Sequence, residues 1–181
     1  MMRYSNSYFA RNSVFGLIKR GEGEHLEFVC YKENKKNNFF GRLRFYGGTI
    51  EEKEDYETCL KRELFEELNL HMKSCTLLRE IRNSLGGVGY LCYAEVSNLQ
   101  DLTHKEEEMG KPEWLTIEEL FESNLVSNSK LLLYLYLLKY SPHLLNKHID
   151  SIKLDTDFLL YLQENFEDIY KDFIARLRGG G

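Results

Sequence analysis

The sequence predicts an α/β fold, and three observations carry the prediction. Short segments rich in β-branched and aromatic residues lie on both sides of one amphipathic stretch at 54–68. That stretch has few β-branched members and no Gly or Pro, which favours helix. From residue 127 the chain turns strongly helical, interrupted at Ser141-Pro142. With 181 residues, 43% of them hydrophobic and 13% aromatic, the chain can fill the core of one domain of ordinary size.

Taken in order, SVFGLIK (13–19) and LEFVCY (26–31) read as strands, joined into a hairpin by GEGE. ENKKNNFF (33–40) is a polar loop whose Lys35 and Lys36 are candidates for touching phosphate, or simply solvated. RLRFYGGTI (42–50) alternates Leu43 and Phe45 with Arg42 and Arg44, giving one apolar and one basic edge. Gly47 and Gly48 permit positive φ and close backbone approach to a ligand. Thr49 and Glu52 stand at capping-box spacing ahead of the helix. Beyond it, strands are expected at 76–82 and 90–96, separated by a Ser84-Leu85-Gly86-Gly87 turn. Tyr90 and Tyr93 are read as strand core before base-stacking groups. An acidic loop from Lys105 leads to a short strand through Trp114, taken as core, and then to a helix opening TIEEL. The apolar block 131–138 suits a buried helix. Asp155 or Thr156 caps a last segment in which Leu159, Leu162, Phe166, Ile169, Tyr170, Phe173 and Leu177 recur at helical spacing. These last fifty or so residues have three roles open to them. They can cover the sheet, pair two subunits or lid a site.

The carboxylates at 63–67 set a chemical problem. With Leu60 at zero and about 100° per residue, Tyr56, Leu64 and Leu68 complete an apolar stripe. Glu67 falls at roughly −20°, Glu63 at roughly −60° and Glu66 at about −120°. Glu67 therefore lies on the edge that an amphipathic helix buries. An unpaired carboxylate there costs several kcal/mol or is driven neutral, and three carboxylates on adjoining turns repel. A hard divalent cation, Mg²⁺ or Mn²⁺, removes both difficulties. A solvated acidic face is the alternative. Arg62 is placed to pair with Glu54 and brace the preceding loop.

Residues 48–70, GTIEEKEDYETCLKRELFEELNL, resemble the Nudix box G-x5-E-x7-R-E-U-x-E-E-x-G-U, with Asn69 in place of the second Gly. Six fixed identities coincide by chance roughly once in ten million windows. Asn tolerates the left-handed conformation next best after Gly, so that turn can survive. The Gly-Gly entry is similar too, except that Tyr46 stands where Pro is common. The resemblance implies a Nudix-type α/β/α sandwich with a mixed β-sheet over roughly residues 10–140. Residues 141–181 form a helical C-terminal extension, packed on a 1–140 domain or used for dimerisation. It implies hydrolysis of a nucleoside diphosphate linked to another moiety, aided by Mg²⁺, with Mn²⁺ as the other suitable cation. Glu63, Glu66, Glu67 and the Gly47 carbonyl are the implied metal ligands. Glu66 and Glu67 are implied catalytic groups, together with a base from the acidic loop: Glu107, with Glu106 and Glu108 as alternatives. Arg42 and Arg44 are candidates for the substrate phosphates, though solubility of the strand face explains them equally. The window 85–88 carries no residue marking a substrate class. A Nudix-fold domain that binds a nucleotide without cleaving it is the rival reading, weakened because every box carboxylate is kept.

A net charge of −5 and a pI near 5.6 leave no footprint for general nucleic-acid binding. An acidic protein acting on a polyphosphate needs a cation between them. No apolar run reaches eighteen residues, and MMRYSNSYFARNS lacks a secretory h-region, so a cytoplasmic location is expected. Cys30, Cys59, Cys75 and Cys92 are widely spaced and read as buried free thiols. The terminal RLRGGG is a helix end with a Gly stop, or an appended remnant.

Overall fold

A computed structural model describes residues 11–82, 86–105 and 109–179. In chain order the strands are β1 (Ser13–Leu17), β2 (Lys19–Arg20), β3 (Glu27–Lys32), β4 (Leu43–Arg44), β5 (Tyr46–Thr49), β6 (Met72–Arg82), β7 (Val88–Val96) and β8 (Glu113–Thr116). The helices are α1 (Tyr56–Leu68), α2 (Ile117–Glu122), α3 (Ser127–Tyr140), α4 (Pro142–Lys147), α5 (Ile149–Lys153), α6 (Thr156–Asn165) and α7 (Glu167–Gly179). One sheet has the order β5-β1-β7-β6 and is mixed: β1 runs parallel to β7 and antiparallel to β5, and β6 is antiparallel to β7. In the other, β3 is antiparallel to β2, β4 and β8.

The period-two alternation of the strands sorts their side chains into two apolar layers. Val14, Val29, Tyr31, Cys92 and Ala94 pack with Leu60, Leu64 and Leu68 of α1. Leu17, Phe28, Cys30, Leu91 and Tyr93 pack with α2, α3 and the helices that follow. The architecture is the α/β/α sandwich. Each fully buried Leu of the α1 stripe contributes about 1.5–3 kcal/mol. Gly16 sets how close α1 comes, since a Cβ there would lie 2.7 Å from Leu60 Cδ1.

Helix α3 is apolar on all sides, and Leu131–Leu137 are buried throughout. Such a helix requires cover on both flanks. The sheet supplies one; Leu144, Ile152, Phe158, Leu162, Ile169 and Phe173 of α4–α7 belong to the same continuous core and supply the other. Polar ties pin this layer. Buried Lys130 pairs with Asp155, and the Tyr134 hydroxyl donates to Asp172 Oδ2 at 2.8 Å. Trp114 packs against the α1 layer under the Arg20 guanidinium. The four cysteines are free thiols, with Cys30, Cys59 and Cys92 buried and Cys75 half-buried.

Four expectations are corrected. Thr49 lies in β5, and the cap of α1 is Asp55, whose carboxylate accepts from Thr58 N at 2.7 Å. The hairpin joins β3 to β2 instead of β1, because the chain changes sheets at Ile18. Strand β6 begins at Met72, sustained by pairing with the end of β7 where its own apolar content is low. The last helical run breaks at Phe166, whose ring turns into the core beside Tyr161 and Arg79. The expected 84–87 turn lies partly outside the described residues, as do the last two glycines of the tail. Among the described residues no helix is long and apolar enough to cross a membrane.

Candidate active site

The loop before α1 is fixed from the helix. Arg62 Nε donates to Glu54 Oε1 at 2.8 Å and Nη2 to Glu54 Oε2 at 3.0 Å, a two-pronged pair. Glu54 also accepts from Glu51 N at 3.0 Å. The Arg62 hydrogen bond is the chief cause that holds the Glu54 carboxyl down at about 2, and in turn Glu54 raises the Arg62 guanidinium. At the far end of α1, Asn69 takes φ 58° and ψ 28°, the left-handed cap expected of it.

Between these anchors α1 presents its carboxylates. Glu67 is 7% exposed and Glu63 is half-buried; both line a cavity of about 880 Å³. Glu66 does not. Its side chain is 53% exposed and meets Arg62 Nη1 at 3.3 Å. Glu63 Oε1 accepts from the same nitrogen at 2.8 Å. Gly47 and Gly48 form the rim where β5, one edge of the mixed sheet, passes α1. At Gly48 a Cβ would sit 2.0 Å from Glu63 Oε1, so the carboxylate occupies the space that glycine leaves.

The cavity also receives Arg42 and Arg44 from the β4 segment and Lys35 from the polar loop; Lys36 is not on its wall. Arg44 Nη1 donates to Glu33 Oε2 at 2.9 Å, and its guanidinium lies 4.8 Å from the Phe39 ring. Glu33 is 3% exposed. Arg42 reaches the carbonyls of Asn124 and Leu125 at 3.4 Å each. Tyr90 instead stacks on Tyr56, and Tyr93 joins Tyr136 and Tyr140, away from the cavity. Glu106, Glu107 and Glu108 lie outside the described residues. Sequence reasoning missed Glu33, Phe15, Phe39, Tyr161 and Asn165 as lining residues. No spacing rule marks them. Only the buried acid opposite an arginine-bearing strand left a trace, in the alternation of 42–45.

The site suits a hard cation in its donor types. It offers a buried carboxylate and a second carboxylate one turn away, beside a glycine rim. The space above Gly48 is shaped around the Glu63 carboxylate, which a larger residue would displace. Among the described residues no three acidic, His or Cys groups converge as a ready cluster; Arg62 Nη1 instead holds both Glu63 and Glu66.

The NUDIX domain family matches residues 10–135. A MutT NUDIX hydrolase from Burkholderia pseudomallei superposes with TM-score 0.55 at 19% identity, covering 68% of this chain and 95% of that one. The NUDIX domain of NrtR from Shewanella oneidensis, solved with ADP ribose, gives TM-score 0.62 at 17% identity, covering 72% and 88%. A protein from Chromobacterium violaceum assigned to the nudix hydrolase family covers 94% of this chain and 97% of its own at TM-score 0.54 and 14% identity, so that likeness runs into the C-terminal helices. No curated protein matches the sequence. With every box carboxylate kept and the family's domain spanning most of the chain, the protein belongs to the Nudix hydrolase family.

Proposed function

We propose that this chain hydrolyses the pyrophosphate linkage of a nucleoside diphosphate joined to another moiety, in a cytoplasmic setting and with Mg²⁺ or Mn²⁺. The observation that carries the reading is Glu67, a buried carboxylate opening with Glu63 onto a cavity that also holds Arg42, Arg44 and Lys35. Cations and carboxylates in one cavity suit a substrate that is itself an anion and arrives with a metal. The ligand in the Shewanella NUDIX domain, ADP ribose, belongs to the proposed substrate class.

Glu63, Glu66 and Glu67, with Gly47 O, are the residues that would hold the cation, Glu63 and Glu66 giving up their bonds to Arg62 Nη1. When bound, it neutralises phosphoryl charge and lowers the pKa of water. The chain does the rest. Arg42 and Lys35 draw the diphosphate toward the rim by charge. Arg62 holds the box loop so that the carboxylates keep their spacing. A carboxylate accepts the proton of the attacking water, with Glu66, Glu67 and the loop residue Glu107 as the candidates. Most apolar residues of the C-terminal helices cover α3, with Leu154 and Leu160 left exposed, so we read that segment as cover and cavity wall before subunit contact.

Glu67→Gln tests the proposal against a nucleotide-binding domain that does not cleave. The substitution keeps size and removes charge. Metal-dependent phosphate release from a panel of nucleoside diphosphate derivatives should fall at least about a hundredfold with the melting temperature held. Nucleotide binding without turnover by the native chain, across the panel and with both metals, would favour the binding domain.

A further inference from the structure

We infer that α6, outside the matched Nudix domain, supplies the wall that binds the substrate's nucleobase, with Tyr161 as its stacking face and Asn165 as its edge-reading group. The inference rests on the hydrolytic reading only for the word substrate. The cavity reaches both faces of the mixed sheet around its edge β5. On the α1 face stand Glu63 and Glu67; on the opposite face lie Phe15 of β1, Ile81 of β6 and, from α6, Tyr161 and Asn165. These two carboxylates are thus confined to one end, and the other sets the aromatic faces of Phe15 and Tyr161 among the cationic side chains Arg11, Arg82 and Arg44.

Tyr161 is held in advance. Its ring stacks on Phe158 at 6.4 Å and 24°, and meets Phe166 at 5.5 Å. Both of those rings are buried in the core. A half-buried aromatic face fixed by two buried ones loses little conformational freedom when a ring lands on it. Burial also pushes the Tyr161 phenol up to about 12, so it stays neutral and can donate. One turn later, exposed Asn165 donates through Nδ2 to Tyr161 O at 2.9 Å, which orients its amide. Its Oδ1 and second Nδ2 hydrogen are left for the edge of a base, which offers a matching donor and acceptor. A sugar would use such an amide but, having no flat π face, would gain less from the ring than a planar base does, so the nucleobase is the better occupant.

The test is calorimetric titration of the full chain, without metal, with the four common nucleoside monophosphates and with ribose 5-phosphate. At least one nucleotide should bind about tenfold or more tightly than ribose 5-phosphate. Tyr161→Ala should erase most of that advantage and Tyr161→Phe should keep it. Asn165→Ala, at an exposed position, should change the ranking among the bases. No base-dependent advantage in the native chain overturns the inference, as does an advantage that survives Tyr161→Ala. If Tyr161→Ala fails to fold, an unaltered ranking in Asn165→Ala overturns it. Base-selective binding in a chain that hydrolyses nothing would keep this inference and sink the hydrolytic one; turnover without base preference would do the reverse.

Discussion

Two adjacent glycines separate the stability of the fold from the chemistry of the site. At Gly47, φ is +157° and a Cβ would lie 2.0 Å from Val14 O and 2.8 Å from Phe15 Cα. Those are main-chain atoms of the paired strand, so Gly47→Ala must part β5 from β1. A loss on the order of 3 kcal/mol is expected in urea unfolding. At Gly48 the nearest atoms are Glu63 Oε1 at 2.0 Å, Cδ at 2.3 Å and Cγ at 2.9 Å, all in one flexible side chain. Relief to an ordinary contact of about 3.5 Å moves that carboxylate by roughly 1.5 Å. That shift gives up the Glu63 bond to Arg62 Nη1, while the two-pronged Arg62–Glu54 pair does not involve Glu63. Stability should then change by less than about 1 kcal/mol. Mg²⁺ demands near-ideal octahedral distances of about 2.0–2.1 Å, so a ligand displaced that far is lost. Metal affinity should weaken at least about tenfold, and kcat should fall by about a hundredfold, the usual cost of an ångström of misplacement. Metal titration beside steady-state kinetics reads both quantities. Native-like metal affinity and turnover in Gly48→Ala would refute the assignment of Glu63 as a ligand.

Two further outcomes follow from the charge pairs. Arg44→Ala leaves the buried Glu33 carboxylate without its guanidinium, and should cost about 3–5 kcal/mol by urea unfolding, much of it recovered in Glu33→Gln/Arg44→Ala. A loss confined to KM would show instead that Arg44 serves the substrate alone. Glu54 is held at about 2 by Arg62, below its ordinary 4.5, so its stabilising share is full above that ordinary value and fades as pH falls toward 2. The melting-temperature gap between the native chain and Glu54→Gln should close over that range; a constant gap would contradict the assigned pair.

Much of the site was legible because it is local. The box spacing sets Glu54 in the loop just ahead of the helix that carries Arg62, and helical geometry alone put Glu67 on the buried edge, where it lies at 7% exposure. Asn69 was readable as a left-handed cap for the same reason. The alternation of 42–45 gave the two arginines of the wall, but not that Glu33 would claim one of them. What failed to show was tertiary. Tyr161 and Asn165 lie some ninety residues beyond the box, and only the packing of α6 brings them to its cavity. The α1 cap was misread because Thr49-x-x-Glu52 satisfies a local pattern that strand pairing overrides: β5 needs Thr49 opposite Ser13.

The all-round burial of α3 has a consequence for how the protein is made. During synthesis its eight-residue apolar block emerges before α4–α7, and the sheet alone covers only one flank. Until Phe173 has left the ribosome, the other flank is an open greasy strip on a nascent chain. The cover of α3 is therefore complete only once α4–α7 have packed, and until then its open flank favours nonspecific collapse. A chain cut near residue 141 keeps every residue of the box and still strands that strip in water, so its fate is aggregation, whatever its chemistry could have been.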